Sequence, residues 1–423
     1  MVEAGTARDE DELRRELRSW IAENWDEHST VREWWRRLAD SGWGFPTWPR
    51  EWFGRGLIAE AAAVVYDELA RAGVLGPPEG AGQSMGAPTL FLFGSDEQKQ
   101  RWMPSIAYGE EYWAQFFSEP GAGSDLASVQ TRGVRDGDEW VFNGQKVWNS
   151  GTLFADRALL VARTDIDVPK HKGIGFFILD VDQPGVEIRP IKQMNGRSEF
   201  NEAFITDARA PDANRIGDAT GGWAVAMAVL THERATFAGG GSATILRSVE
   251  GGAKFGHLDR VVADVLSEER SMANMANGLP ISTVDQVIEL ARRFDRLGDT
   301  HIRQKIAALH ALSEALRLTG VRGQAAERSG RSGGGESSIV YLGGVKVVRL
   351  YRDLVADICG PYAMLDGSDV AETITIAPAH GIQGGSEQIQ RNVIGERLLG
   401  LPREPQVDRD VPFRLLKVGT QRD

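Results

Sequence analysis

A carboxylate on an apolar helix stripe is the feature of this sequence most able to do chemistry. On a helix of 3.6 residues per turn, Trp223, Ala226, Leu230, Glu233 and Phe237 fall within roughly 80° of arc. A carboxylate in such a stripe is costly unless it is paired or used. Burial favours its neutral acid form, which suits a general base working near neutrality. The same spacing also serves an ion pair with the adjacent Arg234 or with a distant arginine. Gly239-Gly240-Gly241 follows, either stopping the helix or making room for a flat ligand.

Three other stretches carry polar groups beside turns. Phe116 to Asp125 leaves an aromatic run (Tyr112, Trp113, Phe116, Phe117) and turns through Pro120, Gly121 and Gly123, with Ser118 and Ser124 on either side. Such a loop exposes N–H groups that cradle a flat polar ring or a phosphate, or it is an ordinary tight turn. In Lys146-Val-Trp-Asn-Ser-Gly151, Trp148 is either strand core or a stacking partner for an aromatic cofactor. In the second case Ser150, two residues on and on the same strand face, donates a hydrogen bond. Gly384-Gly385-Ser-Glu-Gln-Ile-Gln-Arg-Asn392 is a glycine turn opening a polar helix start, which suits a pyrophosphate or simply caps a helix.

Other chemistries are poorly supported. The seven histidines are dispersed and form no His-x-x-x-His pair. There is neither a Gly-x-Ser-x-Gly elbow nor a Gly-x-Gly-x-x-Gly between strand and helix. The net charge of −12 supplies no basic face for nucleic acid. The single cysteine, Cys359, allows no internal disulfide and points to a reducing compartment. The polar, acidic amino terminus and the lack of a long apolar run predict a cytoplasmic protein without a membrane span.

The elements that must position these residues change character twice. Residues 9–38 and 57–72 carry helical spacing, and Gly94 to Gln98 reads as a helix start capped by Ser95 or Asp96. From Tyr112 the pattern alternates, with hairpin turns predicted at Asp136-Gly137 and Asn143-Gly144. Further strands are predicted at 158–162, 174–179, 186–190 and 203–205, making a small barrel or sandwich. Helical spacing returns at 222–238, 284–297, 301–327, 338–358 and 386–398, with 251–282 and 329–338 irregular between them. The expected organisation is α+β: an N-terminal helical domain (1–111), a middle β-barrel domain (112–215), a C-terminal helical bundle (216–403) and a tail (404–423).

Together these segments resemble the acyl-CoA dehydrogenase family of flavoproteins. The resemblance rests on Phe117-Ser-Glu-Pro-Gly-Ala-Gly-Ser-Asp125, Gly137-Asp-Glu-Trp-Val-Phe-Asn-Gly-Gln-Lys-Val-Trp148, Ser386-Glu-Gln-Ile-Gln-Arg-Asn392 and Glu396-Arg-Leu-Leu-Gly-Leu-Pro-Arg403. It implies FAD as cofactor, with Gln115, Phe117 and Ser118 on the flavin ring, Trp148 stacked on it and Ser150 in the place of the residue that bonds N5. Ser386 and Gln388 would meet the adenine end, and the Asp357 to Pro361 turn with Gly360 would lie near the pyrophosphate. Ser124, Arg234, Gly384 and Gly385 would face the substrate.

Two departures from the family pattern stand out. Many members carry their catalytic glutamate at the place of Gly384, which offers a backbone N–H but no base. A smaller set carries it on the first bundle helix, just before a near-invariant arginine, and that place is Glu233 before Arg234. The family's Arg-x-x-Phe-Gly segment, which reaches FAD in a neighbouring subunit, corresponds to Gly252-Ala-Lys-Phe-Gly256 without its arginine. The resemblance thus implies oxidation of an acyl-CoA to its trans-2-enoyl-CoA with Glu233 as base, electron transfer to an electron-transfer flavoprotein, and a homo- or hetero-tetramer. It leaves open a subunit of a heteromeric, steroid side-chain type dehydrogenase, a flavin monooxygenase or oxidase, and a non-catalytic acyl-CoA-binding subunit.

Overall fold

The computed structural model describes residues 10–238, 254–274, 283–328, 335–365, 367–406 and 408–417. The first helical layer comprises α1 (Glu10–Asn24), α2 (Val31–Asp40), α3 (Ala59–Ala72), α4 (Ala87–Phe93) and α5 (Asp96–Ala107). Helix α1 buries Leu13, Leu17 and Ile21, one face at the spacing the sequence predicted. Thr30 and Ser95 start α2 and α5 with complete capping boxes, satisfying N–H groups that a helix start leaves unpaired. The indoles of Trp34 and Trp35 are buried and donate to the carbonyls of Leu75 and Gly76 at 2.7 and 2.8 Å. A π-helical turn, Gly82–Gly86, leads into α4.

A curled half-barrel sheet follows: β1 (Trp113–Phe116), β2 (Arg132–Asp136), β3 (Glu139–Ser150), β4 (Arg157–Arg163), β5 (Ile174–Asp180), β6 (Val186–Ile191) and β7 (Phe200–Pro211). Its order is β1-β4-β2-β3-β7-β6, with β5 paired to β4. Strands β4 and β5 read as nearly continuous apolar runs because both their faces are covered. Leu159, Val161, Phe176 and Ile178 pack towards the helices with Trp102, Trp113 and Val225. Ala158, Leu160, Phe177 and Leu179 pack inside the curl with Trp140 and Phe142.

The second helical layer holds α6 (Gly222–Ala238), α7 (Val262–Asn274), α8 (Val284–Arg293), α9 (Thr300–Arg328), α10 (Glu336–Cys359), α11 (Asp369–Ile376) and α12 (Glu387–Val393). Val287, Leu290, Ile302, Leu309, Leu354 and Val355 form the core of this bundle. The tail returns to the sheet, where Phe413 N–H donates to the carbonyl of Val168 at 2.9 Å.

Two expectations are corrected. Asn143-Gly144 is not a hairpin turn but lies inside β3, at a register shift against β7. Asn143 exchanges hydrogen bonds with Asp207 there, at 2.9 and 3.0 Å. A Cβ on Gly144 would stand 2.4 Å from Thr131 Oγ1, so the glycine serves close approach and not a turn. Within the supposedly irregular 251–282, residues 262–274 are helical, because Val262, Val265 and Leu266 bury against the core of α1 to α3. The Gly239 to Gly241 run lies outside the described residues.

Candidate active site

The predicted site residues come from five places: the end of β1 with its following loop, β3, α6, α10 and the start of α12. Gln115 on β1 and Glu233 on α6 meet directly, with Gln115 Nε2 donating to the Glu233 carboxylate at 3.2 Å. Glu233 is half-buried. The neighbouring turns of its helix bury Val225, Ala226 and Val229 in the core between sheet and helices.

From the opposite side α10 contributes Tyr341. Its hydroxyl donates to the carbonyl of His380 at 2.9 Å and also engages that of Gln383. Burial pushes the Tyr341 phenol up to about 12, with the charges of Glu387 and Glu233 adding to the effect. Tyr341 therefore stays neutral and pins the segment just before Gly384. Gly384 and Gly385 have φ of 64° and 102°, a region open to glycine and strained for other residues. Gln390, fully buried, donates from Nε2 towards both their carbonyls at 3.3 and 3.4 Å.

Serine 386 caps α12 through its hydroxyl. The Ser124 hydroxyl donates to it at 3.2 Å, joining the loop after β1 to the start of α12. The sequence assigned these two serines to different ligands, and the fold brings them side by side. Gln388 is exposed two residues beyond Ser386. Gly360 ends α10 at φ 53°, and Asp357, just before it, is paired with Lys305.

On β3 a bulge between Val147 and Asn149 gives Trp148 a φ of 65°. Its indole is 59% exposed while Asn149 is buried, and Ser150 is exposed again. An exposed indole in a strained backbone conformation makes this bulge a candidate ligand surface. The exposed indole, the adjacent Ser150 hydroxyl and the half-buried Ser118 just after β1 offer an aromatic face and polar groups compatible with a flavin ring, while the Phe117 side chain is itself buried against Phe176. The residues present therefore fit FAD. Of the segment 252–256, Lys254 to Gly256 are described; Lys254 pairs with Asp182 at 3.5 Å and Phe255 packs edge-on against Phe154.

Sequence reasoning passed over two charged residues here. Glu119 and Lys146 form a buried ion pair of 2.8 Å behind the loop. The signal was the inward parity of Trp140 and Phe142, which Lys146 continues.

Comparison with known proteins identifies the family and the architecture. The chain matches the models of the acyl-CoA dehydrogenase N-terminal, middle and C-terminal domains over residues 8–110, 114–207 and 260–399. It is 36% identical over 421 residues to "Acyl-CoA dehydrogenase IpdE1" of Mycobacterium tuberculosis, covering 94% of this chain and 99% of that one. Among solved structures it is similar to the "Tcur3481-Tcur3483 steroid ACAD", at TM-score 0.67 and 28% identity over 94% of this chain and 99% of that one. It is also similar to the "ChsE4-ChsE5 complex from Mycobacterium tuberculosis", at TM-score 0.62 and 29% identity over 95% and 99%.

Proposed function

The chain belongs to the acyl-CoA dehydrogenase family, whose members are FAD-dependent oxidoreductases, and we propose that it desaturates an acyl-CoA thioester between its α- and β-carbons with Glu233 as the base. The observation that carries this reading is the Gln115–Glu233 hydrogen bond, which holds a carboxylate beside β1 where the family's more common base position is Gly384. FAD, when bound, supplies the two-electron acceptor for the hydride that leaves the β-carbon. Glu233 removes the α-proton, and Gln115 holds its carboxylate in one orientation. The Gly384 N–H donates to the thioester oxygen, where charge develops as the α-proton departs. Phe117, Ser118, Trp148 and Ser150 hold the ring, Ser386, Gln388 and Gly360 hold the rest of the cofactor, and Ser124, Arg234 and Gly385 face the substrate. Electrons pass on to an electron-transfer flavoprotein.

A more specific form of this function is also supported: the chain works with an unlike partner chain on a bulky, steroid-type acyl-CoA. The missing arginine of the 252–256 segment leaves a phosphate contact to be supplied elsewhere, and both similar structures cited above are named for two components. Purification alone and with a candidate partner, followed by an absorbance spectrum before and after anaerobic addition of acyl-CoAs, tests both forms. The expected result is a flavin spectrum that is bleached by substrate. Glu233→Gln should keep the flavin and lose the bleaching; rapid bleaching of that variant would sink the assignment of the base. Uptake of oxygen driven by substrate without an electron-transfer flavoprotein would instead favour an oxidase.

A further inference from the structure

The buried pair Glu119–Lys146 stands directly behind the loop that begins at the end of β1. Lys146 is fully buried, and Glu119 is 8% exposed. Desolvation offsets most of the attraction in such a pair, so it is a weak source of stability compared with apolar side chains of similar volume. Its geometry is more informative. Lys146 Nζ donates to Glu119 Oε1 at 2.8 Å and to the carbonyl of Phe117 at 3.0 Å. The next residue, Val147, donates its N–H to the carbonyl of Ser118 at 2.9 Å. The Glu119 carboxylate also accepts from the N–H groups of Gln130 and Thr131, at 2.6 and 2.9 Å.

Three consecutive loop residues, 117 to 119, are thereby fixed to the two residues of β3 that immediately precede the bulge displaying Trp148. The two walls assigned to the flavin ring, Phe117-Ser118 and Trp148, are joined by this pair together with the Val147–Ser118 backbone bond and the Asn149 amide, which donates to the carbonyl of Gln115 at 2.7 Å. Burial lowers the tendency of Lys146 to hold its proton, and Glu119 opposes that loss; burial likewise disfavours the Glu119 carboxylate, which Lys146 and the loop N–H groups hold below the usual range.

We propose that Glu119 and Lys146 are positioning residues for FAD, which set the spacing between the Phe117-Ser118 wall and the Trp148 bulge. The inference rests on the flavin-site reading above. It is tested in the assembly that takes up FAD as wild type, with Glu119→Gln, Lys146→Met and the double variant. Two quantities are read: the dissociation constant of FAD from titration of the apoprotein by flavin fluorescence, and the thermal midpoint of the apoprotein. Each single variant should weaken FAD at least tenfold. The double variant, with both charges gone, should recover most of the apoprotein midpoint yet still bind FAD at least tenfold more weakly and shift the visible bands of the bound flavin. FAD binding by the double variant equal to wild type would overturn the proposal, leaving the pair a packing element alone. Should the double variant fail to fold, the isosteric Glu119→Gln decides: an unchanged FAD dissociation constant there overturns it equally. Wild type that takes up no FAD in any assembly overturns the flavin-site reading, and this inference with it.

Discussion

Glu233 and Gln115, 118 residues apart in the chain, are joined by a hydrogen bond of 3.2 Å between the second helical layer and the sheet. The amide holds the carboxylate in one orientation beside β1. In FAD-loaded protein, Gln115→Ala should therefore slow flavin reduction by substrate about tenfold. That factor corresponds to about 1.4 kcal/mol, the scale of one hydrogen bond to a charged group. Stopped-flow reduction at saturating acyl-CoA measures it, and an unchanged rate would show that the amide plays no part in orienting the base.

The tail is predicted to matter for stability. Phe413 is buried, and the Arg163 guanidinium lies 3.8 Å from its ring centroid. Lys170 joins Asp408 of the tail to Asp125 of the loop after β1, at 2.8 and 3.0 Å. Phe413→Ala should cost about 3 kcal/mol, the usual scale for emptying a buried aromatic site. Hydrogen exchange in residues 163–172 should rise with it. Protection unchanged in that segment would count against the tail as its cover.

Acid should weaken the far end of the sheet in a defined window. Arg215 at 2.8 Å and the Trp140 indole at 2.7 Å hold the Asp212 carboxyl down to about 2. An unfolded aspartate titrates near ~3.9, so on acidification the unfolded chain takes up this proton first. The stabilisation is complete above that value and is lost as pH falls towards 2. The difference in thermal midpoint between wild type and Asp212→Asn should be widest at neutral pH and close between about pH 4 and pH 2. Equal gaps at both ends would contradict the pairing.

The two Asx-Gly dipeptides of the sheet should respond differently to the same substitutions. Gly137 has φ 65° with open space around its Cβ position, whereas a Cβ on Gly144 meets Thr131 Oγ1 at 2.4 Å and Thr131 Cα at 2.7 Å. Asparagine tolerates positive φ, so Gly137→Asn should be nearly neutral. Gly144→Ala should cost about 2 kcal/mol through overpacking, and Gly144→Asn more. Thermal midpoints of the three variants separate the two causes, and equal losses at both positions would refute the distinction.

These glycines also mark where sequence reading runs out. Asn143-Gly144 carries the composition of a hairpin turn, and only the approach of Thr131 from the next strand reveals why the glycine is there. Helix α7 was missed because its apolar residues join the core of α1 to α3, far away in the chain. Helix α6 was legible as a helix because its apolar residues lie within one segment, but the side chains it buries among the described residues are Val225, Ala226 and Val229, of which only Ala226 belongs to the expected stripe. The order of helices, sheet and helices was legible because the hydrophobic period changes at each junction. Glu119 and Lys146 lie in the two recognisable motifs, but their pairing depends on a contact across 27 residues that neither motif shows.

Trp148 has a consequence for how the protein can be watched. Of the chain's twelve tryptophans it alone presents an exposed indole, the others being buried or partly covered. Its emission should lie at the red edge of the protein's fluorescence, from an indole on the wall assigned to the ring. Loading of the cofactor should shade that red edge before the remaining emission, so the chain carries its own optical gauge of occupancy at the strained residue.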